Sequence, residues 1–209
     1  MTKPTHYEAR EFWKNTWLRN PQYVDELNSG AYRRRSVRMV EYFGPDIEDT
    51  ETFCELGVGS GRNIFYFHEK YPGWKYSGND INPGVLGVIA KDFPGVLECV
   101  NITIDDTLGY LKNIGGVDTL FTHGHLMHIP DSTIGEVCGW MAAKANKYIA
   151  IHEAHSHREN AIVFRHERYR FERDYFDMFP GFVCKKSVGE LAVNANRIYG
   201  MYLFRKEPA

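Results

Sequence analysis

The chain has 209 residues, 43% of them hydrophobic and 25% charged, which suits one globular domain with its own core. A formal charge of −2 argues against a general nucleic-acid-binding surface. No apolar run reaches spanning length and residues 1–20 lack the apolar core of a signal peptide, so a cytoplasmic protein with no membrane partner is expected. The cysteines Cys54, Cys99, Cys138 and Cys184 form no C-x-x-C, so neither a zinc knuckle nor a disulfide framework is signalled. Cys54 and Cys99 lie in apolar, strand-like runs and read as buried, inert thiols.

In chain order, the first 50 residues are helical and aromatic. Phe12, Trp13 and Trp17 mark one apolar face, and a second periodic segment over 31–43 stops at Gly44-Pro45. From residue 52 the pattern alternates. Strands are expected at 52–56, 75–79, 96–102, 117–122 and 147–152, and helices at 62–70, 83–91, 106–113 and 131–145. Such alternation implies right-handed βαβ crossovers and a largely parallel α/β sheet. A helical stretch over 159–179 follows, and 181–188 and 197–205 read as strands joined by a Gly- and Asn-rich loop. Residues 1–50 are therefore expected to form an N-terminal helical cap or lid within the same domain, and 51–209 the cofactor-binding part.

The most informative stretch is Glu55-Leu56-Gly57-Val58-Gly59-Ser60-Gly61-Arg62-Asn63, followed by Asp80-Ile81 at the end of the next strand. A strand, a glycine turn, a helix and a second strand ending in an acid is how an open α/β sheet holds an adenosine cofactor. A dinucleotide turn needs its third glycine where this chain has Arg62. That disfavours an NAD-dependent oxidoreductase. The alternation Glu-x-Gly-x-Gly-x-Gly instead resembles motif I of the class I S-adenosylmethionine (SAM) methyltransferases. The resemblance implies a Rossmann-like seven-stranded, mostly parallel sheet with a C-terminal antiparallel hairpin. It makes SAM the expected cofactor and a small molecule the expected methyl acceptor.

By that resemblance Glu55, Gly57, Gly59, Gly61, Asn63, Asp80 and Ile81 bind the cofactor, with Asp80 accepting from the ribose hydroxyls. An acid after the third strand meets the adenine amino group in the family. Asp105 is the better candidate and Asp106 the helix N-cap, although the roles could be exchanged or both acids could simply cap.

Histidines are the second unusual feature. His123, His125 and His128, and then His152, His155 and His157, lie at the ends of two strands expected to be neighbours. His123, His125 and His155 are candidates to remove a proton from the acceptor, given a pKa near working pH, and His123 also borders the cofactor. The run His152-Glu153-Ala154-His155-Ser156-His157 has enough ligands for a metal. It lacks the i, i+4 helical pairing of a metalloprotease motif, so no metal ligand is assigned. His128 is expected to be buried scaffold. The arginines at 33–35 and 38, and at 165, 168, 170 and 173, could meet an anionic substrate or make solvated helix pairs.

A closer resemblance is to the methyltransferases associated with pseudaminic acid biosynthesis. It is carried by Glu11-Phe12-Trp13, Arg19-Asn20, Asn79-Asp80-Ile81-Asn82, Leu120 through Asp131 with its Phe121-Thr122-His123-Gly124-His125 core, and Tyr148-Ile149-Ala150-Ile151-His152-Glu153. It implies an O- or N-methyl acceptor that is sugar-derived or anionic. After the matching glutamate that family shows aromatic residues, Asn and Pro, whereas this chain has Ala154-His155-Ser156-His157. The departure falls where substrate should bind. A SAM-binding protein without catalysis is the alternative.

Overall fold

The computed structural model describes residues 6–16, 30–155, 173–191 and 198–208. Its elements run α1 (His6–Thr16), α2 (Gly30–Phe43), β1 (Thr52–Leu56), α3 (Arg62–Lys70), β2 (Lys75–Asp80), α4 (Val85–Asp92), α5 (Val96–Cys99), β3 (Val100–Ile104), α6 (Thr107–Asn113), β4 (Val117–His123), α7 (Asp131–Lys144), β5 (Ala145–His155), β6 (Phe182–Leu191) and β7 (Ile198–Lys206). The strands form one seven-stranded sheet ordered β3-β2-β1-β4-β5-β7-β6. Its first five strands are mutually parallel, and β7 runs antiparallel to both β5 and β6. This is the α/β, Rossmann-like sheet with a terminal hairpin that the sequence implied.

Alternation along each strand sorts the side chains onto two faces. Phe53, Phe121, Tyr148 and Ala150 pack on one face with Met39 and Phe43 of α2, Ile64 and Phe67 of α3, and Ile89 of α4. Cys54, Leu56, Leu120, Ile149 and Ile151 pack on the other with Leu111 of α6, Cys138 and Met141 of α7, and Tyr175. Continuing the alternation one step past these apolar positions puts Glu55, His123 and His152 on the face of α2 and α3. Thr122 and Glu153 fall on the opposite face. The switch from apolar to polar residues at the carboxyl ends of the strands is where ligands bind in open α/β sheets.

Four expectations need correction. Residues 96–99 form a single helical turn entered through Gly95 at φ +92°, and β3 starts only at Val100. A short apolar run fits either element, so periodicity could not separate them. Cys99, at the end of that turn, is consequently exposed, while Cys54 is fully buried. Strand β5 is longer than expected at both ends. Residues 173–179 make turns, with Phe176 N donating to Asp174 Oδ1, rather than ending a helix; 159–172 lie outside the described residues, as does Trp17.

Candidate functional site

The glycine turn after β1 is built by backbone geometry. Gly57, Gly59 and Gly61 have φ of +71°, +53° and +77°, a region that L side chains rarely adopt. Two of the three are also sterically required. A Cβ at Gly57 would lie 2.3 Å from His125 Nδ1, and one at Gly61 would lie 2.8 Å from Ile89 Cγ1 on α4. A Cβ at Gly59 would meet nothing within 4 Å. The turn is thus packed from below at its ends and open at its middle.

Asp80 ties this turn to the second strand end. Its Oδ2 accepts from Gly59 N at 3.0 Å and its Oδ1 from Asn82 N at 2.9 Å. Burial pushes its carboxyl up to about 6, against the pull of those backbone donors. Asp105 and Asp106 divide the helix entry. Asp106 Oδ1 caps α6 by accepting from Gly109 N at 2.9 Å, and its other oxygen pairs with Arg10 of α1 at 2.9 Å. Asp105 Oδ1 accepts from Asp106 N, and its backbone joins the ends of β2 and β3 through Asp80 O and Asn79 Nδ2. Ile81, half-buried, follows Asp80 at the mouth of the same loop.

Under the turn lies a polar network. Arg62 Nε donates to Ser36 Oγ at 3.0 Å, and Ser36 Oγ donates to Asn63 Oδ1 at 2.7 Å. Asn63 Nδ2 donates to Glu55 Oε1 at 2.7 Å and reaches His123 Nδ1 at 3.3 Å; Arg62 Nη2 reaches the same nitrogen at 3.2 Å. Both groups facing Nδ1 are obligate donors, so Nδ1 accepts and the ring proton sits on Nε2. Glu55 is fully buried, and desolvation pushes its carboxyl up to about 8 although Asn63 and Arg62 oppose the shift. Its Oε2 is buried and has no hydrogen-bond partner among the described residues. The same holds for Ser60 Oγ inside the turn and Asn79 Oδ1 at the end of β2.

The histidines do not act as one cluster. His123 and His152 are register partners on β4 and β5, with ring centroids 4.7 Å apart. His125 sits beyond them, its Nε2 2.6 Å from Thr107 Oγ1. All three are neutral. Burial lowers His125 to about 4; burial, then Arg35, Arg62 and Arg38, lowers His152 to about 3; burial, His152 and the arginines hold His123 well below the usual range. The expected pKa near neutrality is therefore not found, because burial disfavours the imidazolium in all three, and nearby arginines add to this at His123 and His152. His128 is only half-buried, and its ring packs at a tilt against Trp13 of α1, with centroids 4.0 Å apart. His155 ends β5, with its side chain outside the described residues, and His157 lies outside them altogether.

Glu153 is spoken for. Oε1 accepts from Thr122 Oγ1, His125 N and Leu126 N at 2.8, 2.9 and 3.0 Å, and Oε2 accepts from Met127 N at 3.2 Å. It points away from His152, and among the described residues no group of three His, Cys, Asp or Glu could hold a metal ion. Arg173 is committed similarly, to Asp131 Oδ1 at 2.9 Å and to the Leu126 carbonyl. Arg165, Arg168 and Arg170 lie outside the described residues. The sequence reading missed Ser36, Thr107 and Tyr199; Ser36 and Tyr199 come from α2 and β7, and none carries a local motif. Glu153 was weighed only as a ligand, although strand alternation already separates it from His152.

Helix α1 lies across these strand ends. Besides the Arg10–Asp106 pair and the Trp13–His128 ring contact, Asn82 Nδ2 donates to Trp13 O at 3.4 Å. Among the described residues no helix is long and apolar enough to cross a membrane.

No model of a known protein family matches the chain, and no curated protein matches it. Solved structures do. The 1,6-didemethyltoxoflavin-N1-methyltransferase of Burkholderia thailandensis, solved with bound 1,6-didemethyltoxoflavin and S-adenosylhomocysteine, superposes with a TM-score of 0.75 at 15% identity, over 100% of this chain and 93% of that one. The magnesium protoporphyrin IX methyltransferase of Synechocystis PCC 6803, with bound SAM, gives 0.73 at 13% identity over 99% of both chains. Mitomycin 7-O-methyltransferase gives 0.66 at 14% identity, over 95% of this chain and 60% of that one. The fold is that shared by these SAM-dependent methyltransferases.

Proposed function

We propose that the chain is a SAM-dependent methyltransferase acting on an oxygen or nitrogen of a small acceptor. The carrying observation is the state of the glycine turn. It is open at Gly59, stapled by Asp80, and bordered by the buried, unpartnered oxygens of Glu55, Ser60 and Asn79. Buried polar atoms without partners are costly, and a polar ligand laid along the turn relieves them. When bound, SAM supplies a methyl group on a sulfonium, which leaves the protein to align the acceptor and exclude water.

In this reading Glu55, Gly57, Gly59, Gly61, Asn63, Asp80, Ile81 and His123 line the cofactor side, and Asp80 accepts from ribose hydroxyls. Asp105 borders the adenine end, while Asp106 chiefly caps α6. His123, His125 and His155 remain the candidate catalytic residues. With His125 at about 4, and His123 donating through Nε2, these two orient an acceptor better than they deprotonate it. Alignment then supplies most of the rate, and the described part of residues 1–50 serves as the lid.

The resemblance to the pseudaminic acid-associated methyltransferases supports a sugar-derived or anionic acceptor. The test is calorimetric titration with S-adenosylhomocysteine and with NAD, followed by transfer of a labelled methyl group from SAM to metabolites of a cell extract. Binding of the first ligand and a labelled product are expected. NAD binding alone contradicts the reading; S-adenosylhomocysteine binding with no labelled metabolite favours a non-catalytic SAM-binding protein.

A further inference from the structure

Beyond the glycine turn, on the β5–β7 side of β4, six side chains from five elements close into a ring. Arg35 of α2 lies over the Tyr199 ring of β7, 5.6 Å from its centroid, and Tyr199 lies 5.4 Å from His152 of β5. His152 lies 4.7 Å from His123 of β4, whose Nδ1 is 3.2 Å from Arg62 Nη2 of α3. Arg62 lies over Tyr32 of α2 at 5.0 Å, and Tyr32 returns to Arg35 at 4.9 Å.

The ring's chemistry is one-sided. It offers two guanidinium groups, two neutral imidazoles and two phenols, and among the described residues no carboxylate belongs to it. His152 and Arg62 are 1% and 7% exposed, so the inner wall is dry, while Arg35, Tyr32, Tyr199 and His123 are half-buried and give access. Glu55, which meets the ring through Asn63, is held largely protonated near neutrality. Aromatic faces orient Arg35 without neutralising it. Positive charge fixed in a partly dry ring of donors attracts an oxyanion, and guanidinium groups bind one with charge-assisted hydrogen bonds.

We propose that the ring of Tyr32, Arg35, Arg62, His123, His152 and Tyr199 is an oxyanion subsite that anchors a carboxylate or phosphate of the methyl acceptor. The placement rests on the methyltransferase reading, because it is the cofactor turn that makes the far side of β4 the acceptor side. The same oxyanion chemistry could be met by the carboxylate of the cofactor's own methionine, and the experiment separates the two sources.

The probes are inorganic phosphate and acetate, titrated by calorimetry into the full chain with and without saturating S-adenosylhomocysteine. Wild type should bind at least one of them in both conditions. Arg35→Gln should weaken that binding at least tenfold, Arg35→Lys should lose less than Arg35→Gln, and both variants should bind S-adenosylhomocysteine as wild type does. Circular dichroism on each variant keeps a folding defect from passing as a binding defect. The proposal is overturned if wild type binds neither anion, or if Arg35→Gln binds them unchanged. It is also overturned if S-adenosylhomocysteine excludes both anions and itself binds tenfold more weakly to Arg35→Gln, which would assign the ring to the cofactor. Failure of S-adenosylhomocysteine to bind wild type strikes the methyltransferase reading instead, and the anion titration without it still judges the ring.

Discussion

Glu153 Oε1 lies 2.9 Å from the backbone nitrogen of His125, so a carboxylate on β5 holds the loop that follows β4. Thr122 Oγ1 and the backbone nitrogens of Leu126 and Met127 complete its shell. Glu153→Ala should leave these donors unsatisfied at about 1–3 kcal/mol for each that stays buried. A clear fall in the urea midpoint is expected, and a smaller one for Glu153→Gln, which keeps one acceptor oxygen. Wild-type stability in Glu153→Ala would mean the carboxylate is not what holds the loop.

Two glycines of one turn should respond differently to the same change. Gly57→Ala drives a Cβ into the His125 ring and should destabilise the protein by more than the strain of its positive φ alone. At Gly59 there is room for a Cβ, so Gly59→Ala should cost only about 1–2 kcal/mol of left-handed strain. Gly59→Val should remain folded yet lose S-adenosylhomocysteine affinity, because its side chain occupies the open middle of the turn. Thermal melts paired with titration measure both effects, and equal affinity in Gly59→Val and wild type would place the ligand elsewhere.

Stability should depend on pH with two opposed limbs. Glu55 is raised from 4.5 to about 8, so the folded state holds its proton between those values and stability falls as pH rises through them. His152 is lowered from 6.5 to about 3, so the unfolded chain binds the extra proton and stability falls as pH drops through that window. Between pH 6.5 and 8 the Glu55 limb acts without the His152 limb, with a slope of up to about 1.4 kcal/mol per pH unit. Glu55→Gln, which can still accept from Asn63, should flatten it. Urea unfolding across that range checks this, and an unchanged slope in Glu55→Gln counts against the assignment.

Much of this was legible in the sequence because local rules and tertiary context agree there. Helix α3 spans the expected residues because Gly61 precedes it and its apolar face repeats through Ile64 and Phe67. The stretch 96–99 was misread because four mostly apolar residues have no period of their own. At the site, the glycine turn, Asp80 and the capping role of Asp106 follow from motif spacing. Histidine basicity did not, since it depends first on burial between the strand ends and then, for His123 and His152, on Arg35 and Arg62 arriving from α2 and α3. The oxyanion ring is likewise a product of topology: Arg35 stood out only as part of a basic run, and Tyr199 carries no signal until β7 is placed beside β5.

The central claim is that the Gly57–Gly61 turn and Asp80 hold an adenosine cofactor. Asp80 receives Gly59 N and Asn82 N, and each of its oxygens retains a lone pair for a ligand hydroxyl. Removing a charge-assisted acceptor costs about 1.5–3 kcal/mol, or roughly ten- to hundredfold in affinity. Calorimetric titration of S-adenosylhomocysteine into wild type and Asp80→Ala, with folding of both checked by circular dichroism, tests the claim most directly. Binding by wild type with a ten- to hundredfold loss in a folded Asp80→Ala is the predicted result, and equal affinity in the two proteins would contradict it.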